Sequence, residues 1–158
     1  MTDQPESQPQ FAIQRIYLKD VSFETPKAPA IFREEWQPEN NLSLNTTVNT
    51  LDPHTFEVIL VLTLTAKLGD HTAYVVEVQQ AGIFTLTGFP DKERALMLGA
   101  YCPNVLFAYA REVVTDLVTK GSFPQMVLQP VNFDALFFQH QQELAQRAQN
   151  PNSGQHLN

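Results

Sequence analysis

The side chains of this sequence that could do chemistry are four histidines, one cysteine and 17 carboxylates, and their spacing sets most of that chemistry aside. His54, His71, His140 and His156 fall in a turn, at a strand start, on a late helix and in a tail, with no two at ligand spacing. Cys102 stands between Tyr101 and Pro103 with no histidine near it in sequence, so it reads as a packed thiol and not as a nucleophile. No Gly-x-Ser-x-Gly elbow, glycine-rich phosphate loop or dinucleotide fingerprint occurs among the six glycines. Glu34 and Glu35 are adjacent in a proline-rich stretch, where carboxylates are more often solvated than arranged for acid and base work. The sequence therefore predicts no metal, no cofactor and no enzyme activity.

One carboxylate has a different setting. HTAYVVEVQQAGIFTLTGF, residues 71–89, is rich in Val, Ile, Phe, Thr and Tyr and reads as a strand, a tight break at Ala81-Gly82 and a second strand. Side chains alternate across a strand, so Val75, Glu77 and Gln79 share one face while Tyr74, Val76, Val78 and Gln80 share the other. Glu77 beside Val75 is either a solvated carboxylate on an exposed face or part of a surface that receives a partner.

The charge balance favours an acidic surface. The chain of 158 residues carries a net charge of −7 with a pI near 4.9, which disfavours a nucleic-acid backbone as ligand. Residues 1–90 hold 11 acids against 5 bases and residues 91–158 hold 6 against 5, so a basic protein partner would be steered to the first half. The leading MTDQPESQPQ has no basic start or apolar run, and no stretch approaches 18 consecutive apolar residues. With a single cysteine, these features predict a cytoplasmic protein that does not insert in a membrane.

The elements around Glu77 follow from period and punctuation. Residues 1–10 are polar and aperiodic and read as a disordered lead. FAIQRIYLKDVSFE alternates only partly, with Ile16 and Leu18 on one side and Tyr17, Val21 and Phe23 on the other. TPKAPAIFREEWQPE holds three prolines and reads as a connection, yet its Ile31, Phe32 and Trp36 must pack on something. NLSLNTTVN sets Leu42, Leu44, Thr46 and Val48 on one face, and TFEVILVLTLTAKL sets an unbroken apolar row from Phe56 to Leu68. Turns at Asp52-Pro53 and Gly69-Asp70 join these strands, and four antiparallel strands fill the first 90 residues. DKERALMLGA is helical, Gly99 and Pro103 interrupt it, and a second helix runs to a stop at Gly121. Leu106, Tyr109, Val113 and Leu117 form one stripe on that helix and Val105, Val114 and Val118 a second, which points either to self-association or to burial against sheet and loop. After another proline-bounded connection, an amphipathic helix capped by Asn132 carries Phe133, Leu136, Phe137, His140 and Leu144. A sheet apolar on more than one face, with aromatic connections and a terminal amphipathic helix, describes a surface for extended apolar peptide. A carrier of an apolar small molecule is the alternative.

Four stretches go further: IQRIYLKDVSFETPKAPAIF at 13–32, EVQQAGIF at 77–84, LGAYCPNVLFAYARE at 98–112 and FPQMVLQPVNFDALF at 123–137. From about Phe11 to Gln141 the chain closely resembles the SecB family of bacterial protein-export chaperones. The resemblance implies an α+β fold over residues 11–147, a twisted four-stranded antiparallel sheet with a crossover connection, backed by a long helix and the C-terminal helix. Residues 148–158 are expected as a disordered tail. It also implies a homotetramer, a dimer of dimers, that binds unfolded precursors without ATP, keeps them translocation-competent and delivers them to the SecA motor for export across the inner membrane. The positions matching the SecA surface are Asp20, Glu24, Val75 and Glu77, with zinc belonging to the partner. Those matching the tetramer contact are Val76, Val78 and Gln80, to which Leu106, Tyr109 and Val113 are added from the long helix. The precursor groove takes Trp36, Leu42, Leu44 and Phe137 from the resemblance, and Phe133 and Leu144 on helical spacing alone, where ordinary core is an equal reading. Asn40 places a polar group on the Leu42 face and departs from the family's usual wall.

Overall fold

The computed structural model describes residues 8–150, and the expectations for the ends of the chain at 1–7 and 151–158 lie outside the described residues. Strands β1 (Gln10–Glu24), β2 (Glu39–Asp52), β3 (Thr55–Leu68) and β4 (His71–Thr87) form one antiparallel sheet in the order β1-β4-β3-β2. The crossover connection between Glu24 and Glu39 carries the chain from one sheet edge to the other and contains a short 3-10 turn, Ala30–Arg33. Ile31 from that turn is buried in the core.

Two departures from simple alternation shape the sheet. Register shifts in β1 between Ile13 and Arg15 and between Leu18 and Asp20 each slip in one extra residue. A slip of one residue flips the faces, so Leu18, Val21 and Phe23 come to one side, opposite Gln80, Val78 and Val76. This resolves the partial alternation of the first strand. The second departure is a correction: β4 runs unbroken through Ala81-Gly82 for 17 residues. Gly82 serves close approach, since a Cβ there would stand 2.8 Å from the Phe84 ring and 3.1 Å from the Arg15 carbonyl oxygen.

The apolar face of β3 and β4 is covered by helix. α1 (Asp91–Leu96) passes through a π-turn, Met97–Tyr101, into α2 (Cys102–Lys120). Gly99 and Pro103 thus interrupt the hydrogen-bond register and leave the helical path intact: the Cys102 N–H donates to the Met97 carbonyl five residues back, a register in which Pro103 needs no partner. Val58, Leu60, Leu62, Leu64, Val76 and Val78 are fully buried with Leu106, Ala110, Val114 and Val118 of α2. Burying each such side chain contributes about 1.5–3 kcal/mol, which makes this layer the main source of cohesion. Cys102 lies in it, its thiol pushed up to about 12 by burial, and is held neutral.

α2 ends at Lys120 with Gly121 as its cap, where the sequence places the stop. Gly121 keeps a right-handed conformation and Ser122 takes the left-handed one at φ 69°. The Ser122 N–H donates to the Thr119 carbonyl and the Phe123 N–H to the Val118 carbonyl, a Schellman cap with serine in the usual glycine place. Gly121 instead leaves room for Phe23, whose Cε1 would lie 2.9 Å from an added Cβ. α3 (Phe133–Gln149) starts at Asn132, whose side chain accepts from the Ala135 N–H at 3.0 Å.

Candidate functional site

The sheet has one covered face and one open face. On the open face, pairing places Glu24 beside Val75, Ser22 beside Glu77 and Asp20 beside Gln79, and continues through Thr65, Thr63 and Val61 of β3. Asp20, Glu24, Val75 and Glu77 therefore share one patch of two adjacent strands, with Asp20 and Glu24 exposed and Val75 and Glu77 half-buried. Carboxylates fixed on a hydrogen-bonded ladder next to apolar Val75 and Val61 suit a basic ligand with an apolar part.

A polar knot bounds this patch toward the other end of the strands. Glu57 on β3 accepts from the Tyr17 hydroxyl of β1, from Lys19 at 3.0 Å and from Asn49 of β2 at 3.0 Å. The hydrogen bond from Tyr17, then those from Asn49 and Lys19, pull the Glu57 carboxyl down to about 2. Burial, helped by the Glu57 carboxylate, pushes Tyr17 up to about 12. Tyr17 reaches Glu57 across β4, where Ala81 is fully buried, so the knot ties the edge strands to the centre.

The covered face is incompletely covered at β2. Leu42 and Leu44 pair with Leu64 and Leu62, so they extend the core face, and both are half-buried. Beyond them a cleft of about 400 Å³ opens between β2 and α3, with Leu44, Thr46 and Val48 on the strand side and Gly99, Phe133, Phe137, His140 and Glu143 across from them. At the other end, Trp36 joins an aromatic cluster, with ring centroids 5.5 Å from Phe123 and 6.3 Å from Tyr74, and Phe32 and Phe23 also pack on Phe123. Leu42 lies between cluster and cleft. From Leu42 to Val48 the apolar strip runs about 20 Å, the length of roughly six extended residues.

The structure thus gathers Leu44, Phe133 and Phe137 at the cleft, puts Trp36 at the far end of the strip, and leaves Leu144 out of the cleft on the exposed side of α3. Phe133 is itself buried, edge-on to Phe107 at 5.6 Å, and anchors α3. Phe123 and Tyr74 were not read from the sequence as groove residues, because no local period links a loop phenylalanine to Trp36, 87 residues earlier in the chain. Thr46, Val48, Leu136 and His140 carried the signal in their alternation and helical spacing. The residues assigned to the tetramer contact divide as well. Val76, Val78 and Leu106 are fully buried within one chain, and Gln80 is buried with its amide donating to the Tyr17 carbonyl at 3.1 Å. These four have no surface to offer a neighbour directly and would act only through the packing of β4 and α2; Tyr109 is exposed and Val113 half-buried.

The family profile "Preprotein translocase subunit SecB" matches residues 4–144. The chain belongs to the SecB family. Its relatives in that family include the protein-export protein SecB of Methylococcus capsulatus, 56% identical over 146 residues, 92% of this chain and 93% of that one. The protein-export protein SecB of Marinobacter nauticus is 53% identical over 134 residues, 85% of this chain and 81% of that one. Among solved structures, a SecB-like chaperone of Mycobacterium tuberculosis in complex with an antitoxin peptide superimposes with a TM-score of 0.64 at 19% identity, covering 77% of this chain and 90% of that one, and shares the fold. The α+β expectation is borne out, and the chain is a chaperone of the protein-export family. Among the described residues, no helix is long and apolar enough to cross a membrane.

Proposed function

We propose that this SecB-family protein holds unfolded precursor polypeptides without ATP and delivers them to SecA, working in the cytoplasm as a homotetramer. The observation that carries the reading is the division of one sheet into an apolar strip at β2 and an acidic patch on the opposite face. An unfolded segment lies along Trp36, Leu42, Leu44 and Phe137, its apolar side chains leaving water for the strip and its backbone unconstrained by sequence. Phe133 supports that wall, and Leu144 extends it where α3 leaves the body. The chaperone then slows folding by occupying segments the native precursor would bury, and no bond is made or broken. The patch of Asp20, Glu24, Val75 and Glu77 receives a basic segment of SecA, so partner and precursor bind together and transfer needs no competition for one surface. Tyr109 and Val113 on the open side of α2 meet a second copy.

A slow-folding precursor diluted from denaturant tests this reading. Its refolding stops in the presence of the protein without ATP, and the folded precursor is not bound; unchanged refolding overturns the reading. The second reading, an apolar small-molecule carrier, draws on the cleft volume, which lies within the range of ligand pockets. Asn45, Gln139, His140 and Glu143 in the same lining suit a peptide better than a lipid chain. Native mass spectrometry with one bound ligand per chain would favour the carrier.

A further inference from the structure

The cleft owes its shape to a residue without a side chain. α3 rests on the body through two rings: Phe133 edge-on to Phe107, and Phe137 on Gly99 of the π-turn. A Cβ on Gly99 would lie 2.6 Å from Cε2 of Phe137, far inside the 3.5–4.0 Å of carbon contact, so the ring occupies the space that any other residue would fill. Gly99 also lines the cleft, and from Phe138 onward every described residue of α3 is exposed. The position of the α3 wall opposite Leu44 and Val48 therefore depends on how closely Phe137 can approach residue 99.

We propose that Gly99 is a positioning residue for the client groove: by seating Phe137 it sets how near α3 stands to β2, and hence which apolar side chains the cleft grips. The inference rests on the groove assignment made above. A helical interior gains nothing in stability from glycine, about 1 kcal/mol being lost against alanine, so its presence at this contact is explained by the ring and not by the helix. Widening the cleft exposes apolar wall on both sides of a small client side chain, and such clients lose the most contact.

Amide hydrogen exchange on the protein as it assembles in solution tests the seat without any client. In Gly99→Ala the amides of α3 exchange about tenfold faster while those of α2 and β4 keep their protection, and adding Phe137→Leu, which trims the ring, restores α3. Unchanged α3 protection, equal loosening of α2, or no restoration by Phe137→Leu overturns the proposal. A fluorescent extended peptide of Leu and Phe with Gly spacers supplies the second readout, with binding weakened about tenfold in Gly99→Ala. If α3 loosens and peptide binding does not move, Gly99 still seats the helix and it is the groove assignment that fails.

Discussion

The open face of the sheet and the β2–α3 cleft are built by opposite means. The acidic patch sits on adjacent strands locked by a continuous hydrogen-bond ladder, with Glu77 flanked by Ser22 on one side and Thr63 on the other. The cleft has an edge strand for one wall and, for the other, a helix held at its first turns by two rings. A ladder fixes charges to within small displacements, which suits recognition of one partner, whereas a lightly held wall can move to fit many sequences. One sheet can serve both tasks because alternation separates its faces.

Four changes break or sharpen this contrast, in falling order of effect. Glu77→Lys places a cation in the patch and is expected to weaken binding of the basic SecA segment about a hundredfold, read by calorimetry at low salt, with precursor holding unchanged. Leu42→Ala with Leu44→Ala removes half-buried wall and is expected to weaken precursor binding about tenfold with the oligomer intact by light scattering. Loss of the oligomer instead would make these leucines structural. Tyr17→Phe takes one of the hydrogen bonds from Glu57 and is expected to cost about 1 kcal/mol in urea unfolding without touching the cleft. Asn132→Ala removes the cap of α3 and is expected to cost about 0.5–1 kcal/mol, seen as faster exchange at Ala135 and a modest loss of precursor affinity.

The Glu57 knot also gives the open face a pH signature. Its carboxyl is lowered from 4.5 to about 2 in the fold, so the stability it contributes is complete above pH 4.5 and is lost as pH falls toward 2. Tyr17 is raised from 10 to about 12, so its contribution is present below pH 10 and is lost as pH rises toward 12. Urea midpoints across pH should fall at both limits, and Tyr17→Phe should flatten the acid limb between pH 4.5 and 2.

Much of this was legible in the sequence where one period governs. The unbroken face from Phe56 to Leu68, the Leu42 to Val48 row and the Asn132 cap follow from alternation and local hydrogen bonding, and they fix two strands and a helix start. The faces of β1 were not legible, because extra residues at its two register shifts reverse the alternation without a glycine or proline to mark them. Gly82 was misread because a glycine needed for close approach of a ring looks the same in sequence as one needed for a turn. A stripe on a helix does not say whether sheet or second chain covers it, and the sequence left both readings open for α2. The sheet itself buries Leu106.

The most direct test of the account measures both bindings in both variants: the basic SecA segment and an unfolded precursor, each against Glu77→Lys and against Leu42→Ala with Leu44→Ala. A crossed result is expected, with the first variant losing only SecA and the second losing only precursor. If either variant loses both ligands to the same extent while its oligomer and unfolding midpoint stay as in the unaltered protein, the two faces are not separate sites and the division of labour across the sheet is wrong.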